Sequence, residues 1–303
     1  MLRIIQKRKY AYILSGCLIL ASIASVAVWG LRTGIDFKGG TLIEVRFGTE
    51  TAPETAAVQE ALDPLSLRSL TIQSTGEEGM IIRYLASDEA VNEGVMEALR
   101  GLDPDLTVLR TDFIGASVSG QIKRNALWGI VFSVVGIAAY IALAFRKVSY
   151  PVSSWEYGMG AVIALAHDII ITVGFFSIFG AFLGVEIGVP FIAALLTILG
   201  YSVNDTIVVY DRIRENLLRS KSKSDFEEIV DRSVNETMSR SINTSLTVLI
   251  VLAAIILFGG EGVRWFSVAL FIGVLVGTYS SIFIASALLV TRNAWAKRTV
   301  SGK

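Results

Sequence analysis

Gly200-Tyr-Ser-Val-Asn-Asp-Thr-Ile-Val-Val-Tyr-Asp-Arg-Ile-Arg-Glu-Asn216 sets a carboxylate, Asp205, inside an apolar run. Between Ile187 and Tyr210 no other residue is charged. An ionisable group inside a membrane helix costs about 2.5 kcal/mol or more even on the mildest insertion scale, so by default it marks an ion or substrate path. Two plainer roles stay open for Asp205: it reaches water at a nearby surface, or it bonds a neighbouring helix.

The rest of the chain reads the same way. With 303 residues and 53% hydrophobic content it is too apolar for an ordinary soluble protein. Its charges are segregated. Six stretches read as membrane spans: Tyr10–Leu31, Asn125–Phe145, Gly158–Ala181, Val189–Tyr210, Ser241–Gly260 and Trp265–Thr291. Each has about 20 residues or more, enough to cross a hydrocarbon core of about 30 Å. Only the third (His167, Asp168) and the fourth (Asp205) carry ionisable groups. Net charge is zero, so no basic field points to nucleic acid. The single cysteine, Cys17, excludes an intrachain disulfide. Lys7-Arg-Lys9 before the first span and Ser25-Val-Ala27 within it loosely imitate a signal peptide, but the uncharged run is longer than such a core, so it reads as a retained anchor.

Lysines and arginines near the span ends set the orientation. Arg3, Lys7, Arg8 and Lys9 precede the first span, and Arg146 and Lys147 follow the second. Arg212, Arg214, Arg219, Lys221 and Lys223 follow the fourth; Arg292, Lys297 and Arg298 follow the sixth. The short loops 182–188 and 261–264 hold only Arg264. Both termini are therefore expected in the cytoplasm and the long segment 32–124 outside.

Within that segment Thr41–Phe47 alternates Ile43, Val45 and Phe47 with Glu44 and Arg46, a half-buried strand. Glu54–Leu62 is helical in composition. Ser69–Ser74 and Met80–Leu85 read as strands joined by a turn at Gly76-Glu-Glu-Gly79, Asp88–Leu99 as a helix capped by Ser87, and Leu106–Phe113 as the last strand. The order β-α-β-β-α-β is ferredoxin-like, which supplies an architecture and no activity. The expected fold is thus an α-helical polytopic membrane protein of six transmembrane helices, with an α+β ferredoxin-like domain between the first two. Its parts are residues 1–31 (N-terminus and first span), 32–124 (outer domain), 125–291 (five-helix bundle with a cytoplasmic loop at 211–240) and 292–303 (cytoplasmic tail). No metal-ligand spacing, nucleophile elbow or phosphate loop is present. In the loop, Ser224-Asp-Phe-Glu227 has the form of a capping box. Phe226, Ile229, Val230, Val234 and Met238 follow at helical spacing, which predicts a helix lying along the membrane interface.

Counting ~1.5 Å per residue, Asp168 lies about 15 Å into its span and Asp205 about 8 Å from the end of the oppositely directed one. Side chains and one water could bridge such layers. His167 and Asp168 are either a protonic pair or polar glue between helices. Arg240, at the mouth of the fifth span, either approaches Asp205 from a neighbouring helix or anchors its helix at the surface. Arg212 and Arg214 read as headgroup anchors. Gly200 and Gly273-x-x-x-Gly277 permit close helix contact.

Three segments carry a family resemblance: Gly34-Ile-Asp-Phe-Lys-Gly-Gly-Thr41, Ala164-Leu-Ala-His-Asp168 and Gly200–Asn216. Through them nearly the whole chain resembles the SecF members of the SecD/SecF family, which serve bacterial Sec protein export and belong to the RND superfamily of proton-driven transporters. The resemblance implies a proton pathway through Asp205, with Arg240, Asp168 and His167 near it, and a structural motif comprising Asp36, Gly39, Gly40, Asn204, Asp211 and Arg212. The glycines would allow a tight turn where the chain leaves the membrane. It further implies protons as coupling ion with no cofactor, SecD as obligate partner, and SecYEG, YajC and YidC around the pair in the inner membrane, with an exported polypeptide as substrate. Two readings compete: half of an RND-type small-molecule exporter, or a scaffold that transports nothing. An enzyme fits least.

Overall fold

The computed structural model describes residues 3–48, 52–75, 78–85, 89–146, 151–220 and 225–301. Ser87, the first half of the Gly76–Gly79 turn, Lys147, Lys221, Lys223 and Ser224, all named above, lie outside them. In chain order the elements are α1 (Arg8–Trp29), α2 (Ile35–Lys38), β1 (Gly40–Arg46), α3 (Thr55–Leu62), β2 (Arg68–Thr75), β3 (Gly79–Leu85), α4 (Glu89–Leu102), β4 (Thr107–Ile114), α5 (Ala116–Ala144), α6 (Ser154–Leu183), α7 (Val189–Arg219), α8 (Phe226–Phe258), α9 (Glu261–Ser280) and α10 (Ser286–Ser301). A π turn, Ser281–Ala285, joins α9 and α10. Two compact units divide the chain: Thr33–Ala126, and Met1–Arg32 with Leu127–Lys303.

The smaller unit holds one antiparallel sheet in the order β2-β3-β1-β4, so β1 and β3 are central and each helix crosses over a strand. Alternation puts Ile43 and Val45 of β1 and Met80, Ile82 and Tyr84 of β3 on one buried face, where Val58, Leu62, Val95 and Leu99 of the two helices cover them. This is the β-α-β-β-α-β pattern expected from the sequence. Tyr84 donates to Asn92 Oδ1 at 2.7 Å. Burial, partly offset by Thr41, pushes its phenol up to about 12.

Two glycines turn the chain into β1. Gly39 (φ 77°) closes α2, and Gly40 (φ 118°) starts the strand. A Cβ on Gly40 would stand 2.5 Å from the Tyr84 carbonyl oxygen, so a side chain is excluded by contact as well as by backbone angle.

Among the described residues six helical stretches are long and apolar enough to cross a membrane: α1, α5, α6, α7, α8 and the run of α9, the π turn and α10. They outrun the spans read from sequence: α7 continues to Arg219 and α6 begins at Ser154. There the backbone N–H of Ser153 donates to Glu156 Oε2 at 2.8 Å, closing a capping box. Half of each central span window, α6 and α7, is buried, against 17% for α1. α1 crosses α6 at a glycine: a Cβ on Gly174 would fall 2.6 Å from Ser22 Cα and 2.3 Å from its Cβ. Ser25 Oγ donates to the Gly174 carbonyl at 3.1 Å, fixing the crossing. Gly174→Ala should therefore force the two backbones apart and cost about 1–3 kcal/mol. A lowered midpoint of thermal unfolding in detergent would show it; an unchanged midpoint would mean that α1 is free to shift.

The Gly273-x-x-x-Gly277 pair does bring α9 onto α7, since a Cβ on Gly273 would sit 2.2 Å from Ile198 Cδ1 and one on Gly277 3.0 Å from Ser202 Cβ. Gly200 differs, for among the described residues nothing beyond its own helix turn lies within 4 Å of its Cβ position.

One sequence expectation fails. Phe226–Met238 is not a separate interfacial helix but the first half of α8, which runs unbroken for 33 residues. No glycine or proline interrupts it. Its apolar stripe, Phe226, Val230 and Val234, enters the same core as Tyr157, Tyr210 and Ile213, so the periodicity reflects packing on helices.

Candidate functional site

α6 and α7 present their polar residues to each other and to α1 and α9. Asp168 is 1% exposed. Its Oδ1 meets His167 Nδ1 at 2.9 Å. Its Oδ2 accepts from Ser202 Oγ at 2.6 Å and Ser280 Oγ at 2.9 Å. The other ring nitrogen of His167 reaches Ser15 Oγ at 3.0 Å, and Ser15 Oγ donates to Tyr279 OH at 3.3 Å. Tyr279 OH in turn donates to the Ala11 carbonyl at 3.0 Å. Four helices are thus joined through one carboxylate and one imidazole, and every polar atom named has a partner. Sequence reasoning missed Ser15, Ser202, Ser280 and Tyr279. Isolated hydroxyls in apolar runs carry little signal, because they can bond their own helix backbone.

Asp205 stands one turn beyond Ser202 and has the opposite character. It is 6% exposed, yet its Oδ2 accepts no hydrogen bond from any described residue. Ser241 and Arg240 at the middle of α8 are its polar neighbours. Ser241 Oγ, also buried, is close enough to Asp205 to interact with it but outside hydrogen-bond geometry, and Arg240 is exposed. Among the described residues no hydrogen bond links Asp205 to Asp168 directly. A buried acceptor left unpaired costs roughly 1–3 kcal/mol, a penalty that calls for a reason. Next door, Thr206 Oγ1 and Ser281 Oγ meet at 2.8 Å, and Ser281 Oγ donates to the Ser202 carbonyl at 3.2 Å. The π turn therefore lies against the same stretch of α7.

The motif residues beyond the apolar run divide. Asn204 is exposed on α7. Asp211 pairs with Arg214 at 3.2 Å. Arg212 is not a free headgroup anchor: it bonds Glu215 and donates from Nε to Glu236 Oε2 at 2.6 Å. Asn216 Nδ2 donates to the same oxygen at 2.8 Å and to Ser233 Oγ at 2.9 Å, which clamps α7 to α8 below Asp205. Glu236, Asn216 and Ser233 were not singled out from sequence, since only tertiary contact selects them from other polar residues of the loop. Asp36 lies in α2, ahead of the two turn glycines. No cluster of three or more His, Cys, Asp or Glu suited to a metal occurs among the described residues.

Comparison with known proteins places the chain. Residues 94–295 match the family described as protein export membrane protein SecD/SecF, C-terminal. Residues 25–51, which include the paired glycines, match the SecD/SecF GG motif. A protein translocase subunit SecF from Rhodothermus marinus is 41% identical over 96% of this chain and 93% of its own length. Another from Sebaldella termitidis is 37% identical over 95% and 91%. Among solved structures, the fold is similar to that of SecDF from Thermus thermophilus, a translocon-associated membrane protein, with a TM-score of 0.81 and 35% identity over 97% of this chain. A SecDF crystal structure in a super-membrane-facing form gives 0.69 and 33% over 99%. This chain spans only 38% and 40% of those two SecDF chains. Near-full-length identity to SecF subunits, six spans and an α+β unit between the first two lead to one conclusion: the chain belongs to the SecF family of protein translocase subunits.

Proposed function

We propose that this chain, paired with a SecD-like subunit, uses the proton motive force to promote late-stage export of polypeptides across the bacterial inner membrane, and that Asp205 is the group that takes up the proton. The observation that carries this reading is the buried, unpaired Oδ2 of Asp205, with the Arg240 charge within electrostatic reach. A carboxylate so placed changes its interactions fully on protonation. The His167–Asp168 pair, bonded to Ser202 one turn before Asp205 on α7, would serve as a second station. One charge crossing 100 mV is worth about 2.3 kcal/mol, enough to shift a two-state equilibrium about fiftyfold. Neutralising Asp205 would release α8 from its attraction and repack the bundle, and that motion would draw the emerging chain outward.

Several features support the wider setting. The concentration of Lys and Arg at the N-terminus and in 211–240 favours cytoplasmic termini and an outer location for 32–124. The matched SecDF chains are more than twice as long as this one, which favours a partner that completes the site. SecYEG, YajC and YidC would surround the pair. The test is export of a preprotein into vesicles containing the translocon, with this chain and SecD present together, singly or not at all, and with the proton gradient imposed or collapsed. Stimulation should require both subunits and the gradient. Equal stimulation with the gradient collapsed would leave the chain a scaffold.

A further inference from the structure

A groove runs down the bundle between α1 and α8. At one end a cavity of about 400 Å³ is bounded by Arg3, Lys7, Tyr279 and Phe283. A second of about 270 Å³ continues it, sharing Met238, Tyr279 and Phe283 and reaching Leu249 and Leu275. The facing wall is made of Arg3 and Lys7, in the chain just before α1, and of Ala11 and Leu14 in the first two turns of α1. The α8 wall, Met238, Ile242, Leu246 and Leu249, is a helical stripe spaced at three to four residues. Cations therefore sit at one mouth only, and beyond them the lining is apolar or aromatic apart from Ser245 and Thr278, whose hydroxyls bond each other.

Neither Arg3 nor Lys7 pairs with a carboxylate among the described residues, although Arg8 beside them bonds Glu227 at 3.0 Å. The nearby Asp231 is occupied by the Ile5 amide at 2.9 Å. From Met238 to Leu249 the wall measures about 16 Å at the α-helical rise, close to half a hydrocarbon core of about 30 Å. Depth and charge together match a lipid of one leaflet. Basic residues beside a cleft between membrane helices attract anionic headgroups.

We propose that this groove binds one anionic phospholipid, its phosphate held by Arg3 and Lys7 and an acyl chain lying along Met238, Ile242 and Leu246 over the stacked rings of Tyr279 and Phe283. Those rings lie 5.2 Å apart and form a smooth floor. Tyr279 also bonds Ser15, the partner of His167, so the lipid would buttress the far end of the buried network.

The test is native mass spectrometry of the chain in complex with its SecD partner, released from nanodiscs of phosphatidylcholine containing phosphatidylglycerol. Wild type should retain one phosphatidylglycerol. Arg3→Gln/Lys7→Gln should hold it about thirtyfold less tightly, since each basic contact contributes roughly 1 kcal/mol. Arg3→Lys/Lys7→Arg should keep it, and Ile242→Trp should expel it with both cations intact. Should Ile242→Trp not fold, the surface variant Arg3→Gln/Lys7→Gln decides alone. Equal retention by that variant, equal retention of phosphatidylcholine, or a photocrosslink from position 246 to a partner helix instead of lipid would overturn the proposal.

Discussion

Asp205→Asn is expected to abolish the gradient-dependent part of polypeptide export while leaving assembly with SecD intact. The substitution keeps shape and volume, so α7 should still pack between α6, α8 and α9. It removes the charge that Arg240 senses and the ability to cycle between charged and neutral forms. The new amide can donate to Ser241, whose hydroxyl is now unpaired, so stability should hold or rise slightly. With the gradient imposed, export by the variant should fall to the rate measured with the gradient collapsed. Asp205→Glu should recover part of the response. If the Asn variant responds to the gradient like wild type, Asp205 is a packing residue and the proton passes elsewhere.

Asp168→Leu should be the most destabilising single change in the bundle, by about 3–5 kcal/mol, the range for breaking one side of a buried pair. Leucine fills a similar volume but strands His167, Ser202 and Ser280. The serines can recover, since Ser280 already donates to the Gly277 carbonyl at 3.1 Å; the imidazole has no such retreat. Much of the cost therefore belongs to His167, and His167→Phe/Asp168→Leu should be less damaging than the sum of the single changes by about 1 kcal/mol or more. Denaturant titration in detergent micelles would measure both. Additive effects would show that the two residues do not act as a pair. Asp168→Asn, which keeps an acceptor, should lose far less stability, and its gradient response reports whether the pair also carries protons.

Much of the fold could be read without coordinates because apolar length and period-two alternation are local properties. Ile43, Val45 and Phe47 announce β1, and the uncharged runs announce the spans. The helix break imagined near Ser241 shows the limit. A stripe at 3.6-residue spacing looks the same whether it faces lipid or a neighbouring helix, and only the partners Tyr210 and Ile213 decide. The candidate site was legible to the same degree. Asp205 stands out because a charge in an apolar run is costly wherever it falls. That its Oδ2 is unpaired while Asp168 is saturated depends on where Ser202, Ser280 and Ser241 point, which no local rule supplies. Arg212 looked like an anchor because arginines at helix ends commonly are; Glu236, twenty-four residues on, claims it instead.

The continuity of α8 has a mechanical consequence. A helix of 33 residues without glycine or proline is a stiff rod about 50 Å long. Arg240 and Ser241 sit near its middle, beside Asp205, so the carboxylate acts close to a fulcrum. Phe226, fifteen residues away, lies about 22 Å along the shaft, where a tilt of about 5° becomes a displacement of about 2 Å. The Arg212–Glu236 clamp is near the pivot and would turn with it. A lever of this kind needs no hinge of its own, and it would carry news of a single proton to both ends of the helix at once.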